Sequence, residues 1–217
     1  MTEMQQSQLD YISKRRNDYN HKYAIASQYI DRFVTEDSKV LELFGGIGIM
    51  SWFISKKKPS LHIINDYDLR CYDYLVNRFP NKTITQIDVF TGEHSYGEFD
   101  DFDNVFLDCN TFTPKNIDDF KLIFSCFPVD WKGNVFLTET GIFYITHFQK
   151  KKTVEEYYES MRVLIRQHFN MELVEVQHWS KFSIMRLSKS KEKLKIIKNI
   201  VCDVRWTLYF SKLKIFE

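Results

Sequence analysis

Three glycines, Gly45, Gly46 and Gly48, follow a short apolar run in VLELFGGIGIMS at positions 40–51. A turn of small residues between a strand and a helix lets a ligand approach the backbone closely. It also exposes the free N–H groups at the helix start. Asp66 lies 21 residues after Gly45, Asp88 lies 22 residues further on, and Asp108 a further 20. An acid at the first of these offsets, ending a second strand, accepts hydrogen bonds from ribose hydroxyls in nucleoside-binding sites. One strand plus one helix sets such a period, so all these residues fall at the carboxyl ends of parallel strands. That rim is where open α/β sheets bind ligands. Taken singly, each Asp reads as a helix cap or loop residue. Their common spacing is what points to a site.

The elements that must position these residues follow from hydropathy. Residues 5–34 predict a helix with Leu9, Ile12, Tyr19, Tyr23, Ile30 and Phe33 on one stripe. KVLELF (39–44) and LHIIND (61–66) read as strands, with a helix after the glycine turn and Pro59 behind it. Residues 68–79 read as a helix stopped by Pro80, TITQI (83–87) as a third strand and 91–103 as a loop. NVFLDCN (104–110) is a fourth strand, 116–126 a helix, NVFLT (134–138) a fifth strand and 153–169 a helix. MELVEVQ (171–177) and FSIMRLS (182–188) are joined by a segment too short for a parallel crossover, so they pair antiparallel. KSKEKLKIIKNI (190–201) predicts a basic amphipathic helix. Alternating strands and helices make an α/β domain with a parallel sheet between two helical layers.

At 217 residues the chain is long enough for one domain with its own core. Its 44% hydrophobic and 27% charged residues are globular values. Four cysteines with no C-x-x-C pair exclude a disulfide scaffold and a zinc finger. No apolar run reaches membrane-spanning length and the N-terminus has no signal-peptide pattern, which points to a cytoplasmic protein without a membrane partner. The excess of Lys, Phe, Tyr, Ile and Asn fits AT-rich coding, such as a virus of a low-GC host. Net charge is +1, yet residues 150–217 hold 15 Lys/Arg against 8 Asp/Glu. A basic tail suggests a polyanionic partner, or simply a solvated Lys-rich helix. Residues 88–119 carry nine acids and one lysine, which disfavours phosphate there.

These residues resemble the class I S-adenosylmethionine-dependent methyltransferases over roughly 36–188. The resemblance rests on LELFGGIG, on the acids at the strand ends and on the final antiparallel hairpin. It implies a three-layer α/β/α Rossmann-like methyltransferase fold with a mainly parallel seven-stranded sheet. Residues 1–35 would be a helical extension and 189–217 a basic one. It implies S-adenosyl-L-methionine as cofactor. Glu42, Phe44, Gly45, Gly46 and Gly48 would surround its methionine part. Asp66 would hold the ribose, Tyr67 would lie near the adenine, and Asp88 with Val89 would meet the adenine amino group. LFGGIG and INDYDLRCYDYLVNRF look most like nucleic-acid base methyltransferases of the DNA adenine type, with DNA or RNA as partner.

The catalytic motif departs from the family. Amino-methylating relatives carry D/N/S-P-P-Y/F/W after the fourth strand, where the polar group orients the target amine and the ring stacks on a flipped base. Here the residues are Asp108-Cys109-Asn110-Thr111-Phe112, with the prolines missing and the aromatic one place late. Asp108 or Asn110 would orient an amino group and Phe112 would stack. Cys109 offers a rival as a thiolate nucleophile, but a strand-end cysteine is more often packing. Three readings stay open: a base methyltransferase, alone or partnered by a recognition subunit; a methyltransferase-fold binding or structural protein; and a methyltransferase for protein or small molecules.

Overall fold

The computed structural model describes residues 16–91, 101–109, 117–140, 153–179, 182–190 and 192–198. Helix α1 (Arg16–Phe33) precedes strand β1 (Lys39–Leu43), helix α2 (Ile49–Lys56), β2 (Leu61–Asn65), α3 (Leu69–Arg78) and β3 (Thr83–Thr85). Then come β4 (Asn104–Leu107), a 3-10 turn (Ile117–Phe120), α4 (Lys121–Ser125) and β5 (Asn134–Thr140). Helix α5 (Val154–Phe169) leads to β6 (Glu172–Trp179), β7 (Phe182–Ser188) and β8 (Lys195–Lys198).

The strands form one sheet in the order β3-β2-β1-β4-β5-β7-β6-β8. Strands β1 to β5 are mutually parallel, and β7 runs antiparallel to both β5 and β6. Alternation along the strands separates two cores. Leu41, Leu43, Val105, Leu107, Val135 and Leu137 face the 3-10 turn, α4 and α5. Val40, Phe106 and Phe136 face α1 and α2, and Ile64 meets Leu75 of α3 on that same side. This is the expected α/β/α sandwich, and the reversal of strand order between β1 and β4 opens the rim where the site lies.

Two expectations change. Residues 195–198 form a strand, not part of a helix, so the described sheet has eight strands where seven were expected. Strand β8 pairs parallel with β6, from Glu175↔Lys195 to His178↔Lys198. The KIIK run carries two β-branched residues, and the open edge of β6 gives their backbone a hydrogen-bonding partner. The third strand ends at Thr85 instead of Ile87. The buried Asn65 side chain substitutes for the ladder there: its Oδ1 accepts from Ile87 N–H (2.9 Å) and Thr85 Oγ1 (2.9 Å), and its Nδ2 donates to Ile87 O (3.0 Å). Among the described residues no helix is long and apolar enough to cross a membrane.

Candidate functional site

The glycine turn is fixed from both sides. Gly45 N–H donates to Asn65 O (2.9 Å), and Gly48 N–H donates to Gly45 O (2.8 Å) before α2 begins. A Cβ on Gly48 would sit 2.5 Å from Phe79 Cε2, at a φ of 74° that L-residues avoid. Gly46 differs. Among the described residues, and beyond its chain neighbours, a Cβ there would meet only Phe44 O, at 4.0 Å. The described part of the turn is packed shut at Gly48 and leaves space at Gly46, as close backbone approach by a ligand requires.

Phe44 holds a left-handed φ of 64°. For a bulky residue this costs about 1–3 kcal/mol and marks a site where the surroundings impose the conformation. Its ring lies 5.6 Å from that of Phe90, which meets Phe120 edge-on at 5.4 Å. An aromatic ladder thus runs from the glycine turn across the loop after β3, and it includes Phe90, which sequence reasoning overlooked.

Asp66 caps β2. Its Oδ2 accepts from Gly46 N–H (2.7 Å) and its Oδ1 from Asp68 N–H (2.9 Å). Partial burial raises the carboxyl above its ordinary pKa, while the Gly46 and Asp68 N–H groups oppose the rise. Each oxygen uses one acceptor site in these bonds and has capacity for a second. Tyr67 follows and is 64% exposed. Asp88 Oδ1 accepts from Phe90 N–H (3.0 Å) at the same rim, whereas Val89 is buried in the core behind it.

Glu42 is enclosed between β1, β2 and α2. Its side chain has no exposed surface. Oε1 accepts from Ser51 Oγ (2.9 Å) in α2, and Oε2 lies 3.1 Å from His62 Nε2 in β2. The carboxylate therefore points beneath α2, toward Ser51 and His62. Burial raises its pKa, the His62 and Ser51 contacts lower it, and the Asp108 charge raises it further. His62 and Ser51 were missed, although a histidine inside the apolar run LHIIN was a visible signal.

Asp108 extends β4, its N–H donating to Leu43 O (3.3 Å). Its Oδ1 lies 3.2 Å from Thr138 Oγ1 of β5, a hydroxyl also within reach of Leu107 O and Cys109 O. Thr138 was also missed; its signal was a polar residue in NVFLT, one place past the Leu107↔Leu137 pair. Cys109 is 4% exposed and lies in the core cluster. Asn110 and Phe112 lie outside the described residues. The structure thus brings Gly46, Asp66, Asp88 and Asp108 to one rim and leaves Glu42 and Val89 behind it.

No protein-family model matches the chain, and no curated protein matches its sequence. Solved structures do match in fold. A TehB-like SAM-dependent methyltransferase from Corynebacterium glutamicum superposes with a TM-score of 0.54 at 15% identity, covering 83% of this chain and 99% of that one. A SAM-dependent methyltransferase from Aquifex aeolicus gives 0.54 at 14%, covering 76% and 89%. A ribosomal protein L11 methylase from Lactobacillus delbrueckii subsp. bulgaricus gives 0.53 at 12%, covering 75% of each chain. The chain therefore has the Rossmann-like fold of these methyltransferases.

Proposed function

We propose that this chain binds S-adenosyl-L-methionine over the glycine turn and transfers its methyl group to an amino nitrogen of a nucleic-acid base, adenine first. The observation that carries the reading is the bond from Gly46 N–H to Asp66 Oδ2, on a turn open above Gly46. It fixes a carboxylate with spare acceptor capacity beside a backbone that a ligand can approach. Those residues fit the cofactor: Asp66 would accept from the ribose hydroxyls, exposed Tyr67 would cover the adenine, and Asp88 would accept from its amino group. Phe44 and Phe90 would wall the cleft.

The cofactor supplies a methyl group activated on a sulfonium. The protein supplies alignment and charge. Asp108, steadied by Thr138, would accept a hydrogen bond from the acceptor amine and aim its lone pair. Asn110 and Phe112 complete this proposal as the amine-orienting and base-stacking residues. A nucleic-acid partner accords with the basic 150–217 segment.

Calorimetric titration of S-adenosylmethionine and its demethylated product into wild type and Asp66→Ala tests the reading. Micromolar binding lost on substitution supports it, and a radiolabelled methyl-transfer screen over DNA, RNA and protein then identifies the acceptor. A folded wild type that binds neither compound refutes it. Binding without transfer favours a second reading, a cofactor-binding protein that has lost catalysis, for which the missing prolines after Asp108 speak.

A further inference from the structure

The basic end of the chain joins the same sheet as the candidate site. β8 runs parallel to β6, β6 and β5 both run against β7, and β5 runs parallel to β4. Strands β4 and β8 therefore end on one rim. Across the sheet, Ile197 pairs with Gln177, Gln177 with Ile184, and Ile184 with Thr138, whose hydroxyl lies 3.2 Å from Asp108 Oδ1. Lys198 stands one residue further toward the rim. Four strand spacings of about 4.8 Å put β8 about 19 Å from β4. About six phosphates of one duplex strand cover that distance.

Charge divides along that rim. Asp66, Asp88 and Asp108 follow β2, β3 and β4, where a phosphate would be repelled. Around β8 the carboxylates are already held by arginine. Glu172 takes Arg166 (2.6 and 2.7 Å) and Arg162 (3.3 Å). Glu175, opposite Lys195 in the register, takes both Nη atoms of Arg32 (2.7 and 3.2 Å). Glu192 takes Arg186 Nη2 (3.1 Å), and its carbonyl accepts from Arg162 Nη2 (3.0 Å). A forked guanidinium suits such fixed pairs, whereas a lysine ammonium is a mobile point charge that meets phosphate from many directions. The arginines thus fix the approach to β8, and Lys193 and Lys195 stand exposed beside acids that already have partners.

We propose that β8 is a docking strip for the phosphate backbone of a nucleic acid, held by Lys193, Lys195 and Lys198, while the uncharged target base alone crosses to the acidic half of the rim. Phosphate contacts of this kind position a nucleic acid without reading its sequence. The inference deepens the proposed function and rests on its nucleic-acid acceptor. It also gives the misread strand a role: as a strand parallel to β6, residues 195–198 run toward the rim of Asp108.

Fluorescence anisotropy of labelled duplex DNA and single-stranded RNA with the full chain tests this. Wild type binds at least one of them, and the logarithm of its association constant falls linearly with that of the salt concentration. Combining Lys193→Gln, Lys195→Gln and Lys198→Gln weakens binding by about tenfold or more at low salt. It also makes the slope shallower by about 2 to 3, at 0.7 to 0.9 per lost contact. The control combines Lys39→Gln, Lys82→Gln and Lys132→Gln, which removes the same charge at the amino ends of β1, β3 and β5. Its affinity stays within about twofold of wild type. Equal losses in the two triple variants would mean that net charge alone is read, and would overturn the inference.

Unchanged affinity in the β8 variant would also overturn it. So would a wild type that binds neither nucleic acid, including one that is captured by phosphatidylserine vesicles instead, which would point to a membrane surface. Calorimetry with S-adenosylmethionine separates this inference from the reading it rests on. The β8 variant keeps wild-type cofactor affinity, because its lysines lie far from the glycine turn. A wild type that binds cofactor but no nucleic acid would overturn the docking strip and leave the cofactor site. A wild type that binds nucleic acid through β8 but no cofactor would refute the proposed function and leave the strip standing.

Discussion

The two halves of the rim are held in different ways. On the β1–β3 side, the acid ending β2 is tied to backbone N–H groups: Asp66 accepts from Gly46 and Asp68. The next acid, Asp88, accepts from Phe90 N–H and is carried to the rim by the three bonds of Asn65. On the β4–β5 side, Asp108 rests on a hydroxyl, that of Thr138, which has three acceptors within reach and one proton to give. Backbone ties survive changes of side chain, whereas a shared hydroxyl reorients. The first half is built to present one fixed surface and the second to adapt. Under the proposed function, the cofactor would meet the first half and the acceptor the second.

The comparison breaks most severely at the glycine turn. Gly48→Ala forces a Cβ to within 2.5 Å of Phe79 Cε2 at a positive φ. The expected loss of stability is about 2–4 kcal/mol, read from the denaturation midpoint. A near-neutral result would mean that the turn is not the rigid half. Asn65→Leu comes next. It leaves Ile87 N–H and C=O without their partner and costs about 1–3 kcal/mol. It should also weaken cofactor binding through Asp88, so calorimetry on a protein still folded at lower temperature separates the two effects.

How much of this was legible in the sequence follows the same division. The period of the strand-end acids revealed the parallel sheet, because a βα unit imposes its length on any sequence that folds this way. Gly46 and Asp66 were legible as residues of one rim for the same reason, but the bond between them was not. Glu42 was legible as a motif residue, whereas its partners Ser51 and His62 were not: alternation along β1 turns it with Val40 toward α2. Strand β8 was misread because KLKIIK satisfies a helical stripe as well as a strand, and only the open edge of β6 decides between them. Thr138 escaped because its importance depends on register with β4, which no single stretch of sequence contains.

A smaller effect sharpens the adaptable half. Thr138→Val removes the hydroxyl near Asp108 while nearly preserving volume. Stability falls by about 1 kcal/mol, and cofactor affinity stays within a factor of about two, which is under 0.5 kcal/mol. Under the proposed function, methyl transfer falls more than binding, because Asp108 keeps its charge but loses the Thr138 hydroxyl. Equal losses in binding and transfer would show that the two halves act as one unit.

The smallest effect lies just outside the site, where Asp68 starts α3. Its Oδ1 accepts from Arg70 N–H (2.9 Å), and its Oδ2 lies 2.6 Å from Arg70 Nη2. The Arg70 side chain holds the Asp68 carboxyl down to about 2, from 3.8. A depressed acid contributes stability above its unfolded value, and that contribution is lost as pH falls from 3.8 through about 2. Because the pair is solvent-screened, the contribution is less than about 1 kcal/mol. Arg70→Gln should return the Asp68 carboxyl toward 3.8 in a carbon-detected titration while sparing the backbone cap. Asp66, two residues away, should keep its raised value, because burial and not Arg70 sets it. If both carboxyls moved together, the fixed half of the rim would extend into α3, and the anchoring of Asp66 would depend on a surface ion pair as well as on Gly46.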